Sequence, residues 1–173
     1  LGNIRGEENV FWSFAPHDIS IIQYFTDSFP SQISSNGGAF IQKEIHDTTM
    51  TFLDYPNNIK SHIYVSWLHP FKEHRLVVIG SNGMLSYEDS SNEKLIKFYK
   101  KRYFLDEFTP IKEDGETEII QYDQTAPLEL ELQYFINCLD GKDLKIANGQ
   151  NALEVIQILE QATNSLLDNT QNI

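Results

Sequence analysis

Apolar and polar residues alternate with period two over much of the middle of the chain. Lys60 to Leu68 places Ile63, Val65 and Trp67 on one side and His62, Tyr64 and Ser66 on the other, the mark of a half-buried strand. Asp47 to Tyr55 alternates too, with Met50 and Phe52 opposite Thr49, Thr51 and Leu53. Pro56-Asn57-Asn58 between these runs is a turn. Gln32 to Gln42 is an earlier strand with Asn36-Gly37-Gly38 as a bulge or bend. Further on, Arg75 to Ile79 and Met84 to Tyr87 flank Gly80-Ser81-Asn82-Gly83, whose Asn-Gly pair is a strong hairpin signal. Lys94 to Lys100 reads as an edge strand or a helical turn. A second hairpin is expected around Asp114-Gly115, joining Phe108–Lys112 to Thr117–Tyr122.

Helical periodicity brackets this region. Near the N-terminus, Asn9–Ser20 reads NVFWSFAPHDIS. Proline is tolerated in a helix's first turn, where its missing N–H costs nothing. The spacing therefore predicts a helix from Pro16 to Thr26, with His17 in its first turn and facing a cleft. At the other end Thr125 to Leu139 is predicted helical. Thr125 serves as its N-cap, and Leu128, Leu132, Phe135, Ile136 and Leu139 share one face. Asn148 is expected to cap a last helix with the stripe Ala152, Val155, Ile156, Leu159, Ala162 and Leu166. One helix, a run of hairpin-linked strands and two more helices predict an α+β fold: an open, mainly antiparallel β-sheet with helices packed on one face. The other sheet face mixes Tyr, His, Thr and Ser with apolar residues, a composition suited to a subunit interface.

Composition narrows the function classes. With 173 residues, 40% of them hydrophobic, the chain can bury one core. The net charge of -12 argues against non-specific binding to nucleic acid or to an anionic membrane. No run of about 18 apolar residues spans a membrane. The single cysteine, Cys138, permits no intrachain disulfide, which suits a reducing cytoplasmic setting, and its neighbours Phe135, Ile136 and Leu139 suggest a buried packing role. The start at Leu1 is read as that of a segment of a longer product.

Several chemistries can be set aside. Gly37-Gly38 and Gly80-x-x-Gly83 lie between strands, so neither forms a dinucleotide-binding turn or a phosphate loop. The five histidines, His17, His46, His62, His69 and His74, lack the cysteine or carboxylate spacing of a metal site. Ser13 and His17 are four apart, but no nucleophile elbow or orienting acid accompanies them. What remains is His17 as a proton-transfer group or as a helix-start histidine that only hydrogen-bonds.

The stretch Asn9–Ser20 resembles the start of the C-terminal domain of the Gfo/Idh/MocA oxidoreductases. The likeness is greatest to the branch acting on nucleotide sugars, the UDP-N-acetylglucosamine/glucuronate 3-dehydrogenase type. His62–Lys72, with Ser66-Trp67-Leu68, resembles a strand of that family; Leu76–Met84 resembles its next hairpin, and Pro127–Leu139, with Glu129, the helix that opens its C-terminal end. The resemblance implies a single substrate-binding and oligomerisation domain over residues 1–173, which would bind no cofactor by itself. It also implies an N-terminal Rossmann domain outside this chain, holding NAD or NADP and a catalytic lysine.

The partners so implied are a sugar or nucleotide-sugar substrate, that Rossmann domain, and further copies of the chain through the open sheet face. His17 carries over as the catalytic histidine of the family's Asp-x-x-x-His pair, but Ser13 stands where the aspartate would be. A serine supplies no negative charge to an imidazolium. Arg5, Asn9, Trp12 and Ser13 are the implied substrate-binding side chains, with Arg5 placed to meet a diphosphate or carboxylate. Loss of the aspartate also leaves open a second expectation, a non-catalytic small-molecule-binding or oligomerisation module.

Overall fold

A computed structural model describes residues 4–170. The described residues divide into two compact units, one formed by residues 4–70 and 140–170 and the other by Phe71–Leu139. All strand pairing is antiparallel, and the class is α+β.

In the first unit, β1 (Gln32–Gly38), β2 (Thr48–Tyr55) and β3 (Ile59–Ser66) form a sheet in that order. The helices α1 (Val10–Thr26) and α3 (Gly149–Thr170) pack on it. The register pairs Thr49 with Val65 and Thr51 with Ile63. Alternation then turns Thr49, Thr51, Leu53, Ile63 and Val65 inward, as the sequence pattern predicts. Their core partners are Val10, Phe11, Ala15 and Ile19 of α1 and Ile158, Leu159 and Ala162 of α3. Two buried hydroxyls, Ser35 Oγ and Thr51 Oγ1, pair across neighbouring strands at 2.7 Å. At the sheet edge α3 meets the β1 backbone: Ser35 N donates to Ser165 Oγ and Asn169 Nδ2 donates to the Ser35 carbonyl, both at 2.9 Å. That contact occupies part of an edge otherwise open to pairing.

The first helix begins earlier than predicted. Asn9, not a residue beside Pro16, is its N-cap. Asn9 Oδ1 accepts from Phe11 N at 3.0 Å and Trp12 N at 3.3 Å. Val10 N donates to the His46 carbonyl at 3.0 Å and Ser13 N to the Asn9 carbonyl at 3.4 Å. The N–H groups that a helix start leaves unpaired are thus satisfied. Pro16 lies inside the helix, where its missing N–H leaves the Trp12 carbonyl without its usual donor. Burial of Val10, Phe11, Ala15 and Ile19 outweighs that loss. Asp27 ends the helix in the left-handed conformation (φ 46°), its N–H on the Gln23 carbonyl at 2.8 Å. His17 therefore sits two turns into α1, not in its first turn.

Two further boundaries move. β1 ends at Gly38, and Gly37 and Gly38 pair in register with Thr49 and Thr48, so no bulge interrupts them. A Cβ on Gly37 would meet the Thr48 carbonyl oxygen at 2.5 Å, so close strand approach requires glycine there. Asn148 does cap α3: its Oδ1 accepts from Asn151 N at 2.9 Å while Asn148 N donates to Asn151 Oδ1 at 3.2 Å. The buried stripe of α3 runs through Ile158 as well as Leu159, Ala162 and Leu166, whereas Ile156 is exposed.

The second unit holds β4 (Arg75–Gly80), β5 (Gly83–Glu88), β6 (Ile96–Tyr99) and β9 (Thr117–Ile120), in the order β4-β5-β6-β9. The Gly80–Gly83 hairpin is as expected. Segment 94–100 is corrected: β6 is an interior strand, with β5 on one side and β9 on the other. The hairpin expected at Asp114-Gly115 is replaced by one between β7 (Arg102–Asp106) and β8 (Thr109–Glu113), turning at Glu107 with φ 54°.

Helix α2 (Pro127–Leu139) starts from the Ala126 carbonyl, which accepts from Glu129 N and Leu130 N. Thr125 is not its cap; Thr125 N and Oγ1 both donate to Asp123 Oδ1. The predicted stripe of α2 remains exposed at Leu128, Leu132, Phe135, Ile136 and Leu139. Cys138 on this helix is half-buried rather than buried.

Candidate functional site

The start of α1, the connector before it and the 39–46 loop enclose a shallow open depression of about 420 Å³. Asn9 and Trp12 line it from the helix and Thr163 from α3. Glu44 and Ile45 come from the loop, and Glu7 and Glu8 from the connector. Two hydrogen-bond clusters fix these side chains.

In the first cluster, Thr163 Oγ1 accepts from Trp12 Nε1 at 2.9 Å and from Asn9 Nδ2 at 3.4 Å, and donates to the Leu159 carbonyl at 2.9 Å. One hydroxyl on α3 thus sets both the indole plane and the amide that caps α1. In the second, Glu8 Oε1 accepts from Arg5 Nη1 at 2.6 Å and from Ser13 Oγ at 2.9 Å. The Arg5 carbonyl in turn accepts from Gln42 Nε2 at 2.8 Å, which ties the connector to the loop.

The loop is held from beneath by Asp47, a fully buried carboxylate. Its Oδ2 accepts from Phe40 N at 2.5 Å and Ile41 N at 2.8 Å, while Asp47 N donates to the Gly38 carbonyl at 2.8 Å. The Asp47 carbonyl accepts from Trp67 N at 3.0 Å. Charge-assisted bonds to backbone N–H groups are among the stronger kind. Next to it, burial pulls the His46 imidazole below its ordinary pKa, against the opposing pull of the Asp47 carboxylate. Deeper in the core, burial pushes the Tyr55 hydroxyl up to about 12.

Asn9 and Trp12 line the depression directly, and Arg5 and Ser13 meet at Glu8 on its rim. His17 stands one turn beyond Ser13 on α1, is exposed, and does not line the depression. Among the described residues no hydrogen bond joins it to Ser13. Glu8, Thr163 and Glu44 escaped the sequence reading. Thr163 had one usable signal, a hydroxyl between Ala162 and Leu166 on an otherwise apolar stripe.

Among the described residues no group of three or more His, Cys, Asp and Glu side chains is arranged to hold a metal ion. No helix there is long and apolar enough to cross a membrane. Gly37 and Gly38 belong to a sheet ladder, and Gly80 and Gly83 to a hairpin. No strand-turn-helix glycine cradle is formed by them.

Solved structures share the fold. UDP-N-acetylglucosamine 3-dehydrogenase GnnA from Acidithiobacillus ferrooxidans aligns with a TM-score of 0.78 at 14% identity, over 92% of this chain and 49% of that one. The WlbA dehydrogenase from Bordetella pertussis, in complex with NADH and UDP-GlcNAcA, aligns with a TM-score of 0.66 at 16% identity, over 94% and 44%. An oxidoreductase from Agrobacterium radiobacter, in complex with NAD+, L-tartaric acid and magnesium, gives 0.65 at 15% identity, over 95% and 48%. The chain spans about half the length of these structures, and at such identities the likeness is one of fold. No curated protein matches by sequence. Residues 4–86 match the family described as the GFO/IDH/MocA C-terminal domain, and the resemblance read from Asn9–Ser20 thus stands on both a family match and a shared α+β fold.

Proposed function

We propose that this chain is the substrate-binding and oligomerisation domain of a cytoplasmic NAD(P)-dependent oxidoreductase that oxidises a hydroxyl of a sugar or nucleotide sugar. The observation that carries the reading is the Trp12 depression at the head of α1, whose lining apart from Thr163 falls in the matched segment 4–86. An indole face beside Asn9 and carboxylate acceptors suits a polyhydroxylated ring. Arg5 and Ser13 act on that ring from the rim, through or in exchange with Glu8. His17 lies outside the lining of the depression, exposed one turn beyond Ser13, and takes the proton of the hydroxyl being oxidised where the substrate extends past Ser13. NAD or NADP belongs to a Rossmann domain outside this chain, whose nicotinamide is the hydride acceptor in such reactions. By itself the chain is then inactive. Copies of it associate through the apolar open face of the second unit, where Val77 and Ile79 are exposed.

Joining the chain to its cofactor-binding half and following NAD(P)H formation on a panel of sugars and UDP-sugars tests this. Turnover that His17→Ala lowers by about 100-fold is the expected result; turnover indifferent to that change removes His17 from the chemistry. A second reading, a binding module without catalysis, is favoured by one observation. Ser13 gives its proton to Glu8, and no carboxylate at position 13 faces His17. Intact sugar binding in an assembled protein that turns nothing over would select it.

A further inference from the structure

One end of the four-stranded sheet in the second unit is closed by a set of polar side chains. Arg75 pairs with Glu88, Tyr87 with Ile96 and Ile96 with Ile120, so the start of β4, the end of β5, the start of β6 and the end of β9 lie side by side. Asp89 stands among them. Its Oδ1 accepts from Lys94 Nζ at 2.8 Å and from the Tyr87 hydroxyl at 3.1 Å, and His74 Nδ1 lies 3.6 Å from its Oδ2. The backbone makes the same pairing: Asp89 N donates to the His74 carbonyl at 2.9 Å, and His74 N to Ser90 Oγ at 3.2 Å. Lys94 is held in the left-handed conformation (φ 47°), which a residue with a side chain rarely adopts. Its carbonyl accepts from the Tyr122 hydroxyl at 2.6 Å, and the Tyr122 and Tyr87 rings meet edge to face at 6.4 Å. Asp89 thus ties down both the β5–β6 loop and the lead from β9 into α2.

The groups around Asp89 differ in how they respond to a proton. The hydrogen bond from Lys94 holds the Asp89 carboxyl below the usual carboxylate range, and Asp89 in turn raises the Lys94 ammonium. Burial, reinforced by Asp89, pushes the Tyr87 hydroxyl up to about 12. None of these three changes charge near neutrality. Tyr122 donates to a carbonyl, Glu88 accepts from Ser90 Oγ at 3.0 Å, and Glu73 and Arg75 pair with each other. Histidine is the side-chain type that changes charge between about pH 5 and 8. We propose that His74 and Asp89 form a proton-operated latch on this end of the sheet. A protonated His74 gives Asp89 a second cation beside Lys94 and draws the β5–β6 loop onto the strand ends. A neutral His74 leaves Lys94 to hold the carboxylate alone. Acidification toward about pH 5.5 therefore tightens the latch.

The test follows solvent exchange of the position-89 amide by NMR in the 173-residue chain, expressed as protection relative to the intrinsic rate at each pH. Protection should rise about threefold between about pH 8 and about pH 5.5. The gain is modest because the His74 and Asp89 side chains are 51% and 43% exposed. His74→Gln should keep protection at its high-pH level throughout. Asp89→Asn should lower protection and abolish the response. Lys94→Met removes the standing cation but leaves the histidine pair intact, so it should lower the baseline and keep the rise. All three positions lie outside the buried core. The latch is overturned by a flat profile in the native chain, by a response of opposite sign, by a response that survives His74→Gln or Asp89→Asn, or by one that disappears with Lys94→Met.

Discussion

Ser13 Oγ donates to Glu8 Oε1 at 2.9 Å, and the same oxygen takes Arg5 Nη1 at 2.6 Å. A carboxylate five residues earlier thus occupies the space into which an acidic side chain at position 13 would project. Ser13→Asp would bring two carboxylates into contact with Arg5 alone to balance them, and like charges so placed cannot both ionise freely. The expected outcome is a stability loss of about 1 kcal/mol in urea unfolding. It should vanish when Ser13→Asp is combined with Glu8→Gln, which lets the amide donate to the new aspartate. A double-mutant cycle measures that coupling directly. Additive losses would show that the two positions do not share the site.

Asp47 is the second point of leverage, because one buried carboxylate oxygen organises the loop that carries Glu44 and Ile45. Asp47→Ala leaves the N–H groups of Phe40 and Ile41 without their acceptor and should cost about 2–3 kcal/mol. Asp47→Asn keeps an acceptor and should cost roughly half as much. Hydrogen exchange at the amides of Phe40 and Ile41 should quicken most in the alanine variant. Unchanged exchange there would mean that the loop is held by other contacts.

The strand register of the first unit follows directly from the alternation of residues 47–67, because one face of that sheet is buried and a one-residue slip would expose it. The start of α1 does not follow from such a pattern. Its N-terminal N–H groups are satisfied partly by Asn9, a local signal, and partly by the His46 carbonyl, which only the tertiary fold supplies. Pro16 then misleads, since a strong core face on both sides of it holds the helix through the lost bond. In the second unit no alternation separates a buried from an exposed face. Val77, Val78 and Ile79 are successive and all exposed, so pattern could not decide which strands are interior. The site divides in the same way. Asn9, Trp12 and Ser13 lie on one short stretch that can be read along the chain, whereas Thr163 reaches them from more than a hundred residues away.

His46 makes stability depend on pH. Its folded pKa lies below the ordinary value of 6.5 because burial disfavours the charged ring. Above about pH 6.5 the imidazole is neutral in both states and burial carries no ionisation cost. As pH falls below that value the unfolded chain binds a proton that the folded chain refuses. Stability is therefore lost on acidification, until the folded pKa is reached. Thermal midpoints taken from about pH 7 to about pH 5 should fall more steeply for the native chain than for His46→Gln, which cannot titrate. Equal slopes would assign the acid sensitivity to other groups.

The choice between Ile156 and Ile158 separates a helical pattern from a helical contact. Both sit on α3 two residues apart, about 200° around the helix, and so cannot face the same neighbour. Apolar periodicity alone favours Ile156, which continues the spacing from Ala152. The fold instead buries Ile158 completely in the cluster with Leu159 and Ala162 and leaves Ile156 at 44% exposure. The sheet of the first unit fixes which way α3 is rotated, through the bonds of Ser165 and Asn169 to Ser35. Ile158→Ala should therefore cost about 3 kcal/mol, from lost burial and the cavity it leaves. Ile156→Ala should stay within about 1 kcal/mol. Adding Asn169→Ala, which loosens α3 from β1, should lower stability further in either background without exchanging the two isoleucines' ranks. Urea unfolding of the four variants checks the ranking, and an Ile156→Ala loss equal to that of Ile158→Ala would mean that α3 is rotated from the orientation described.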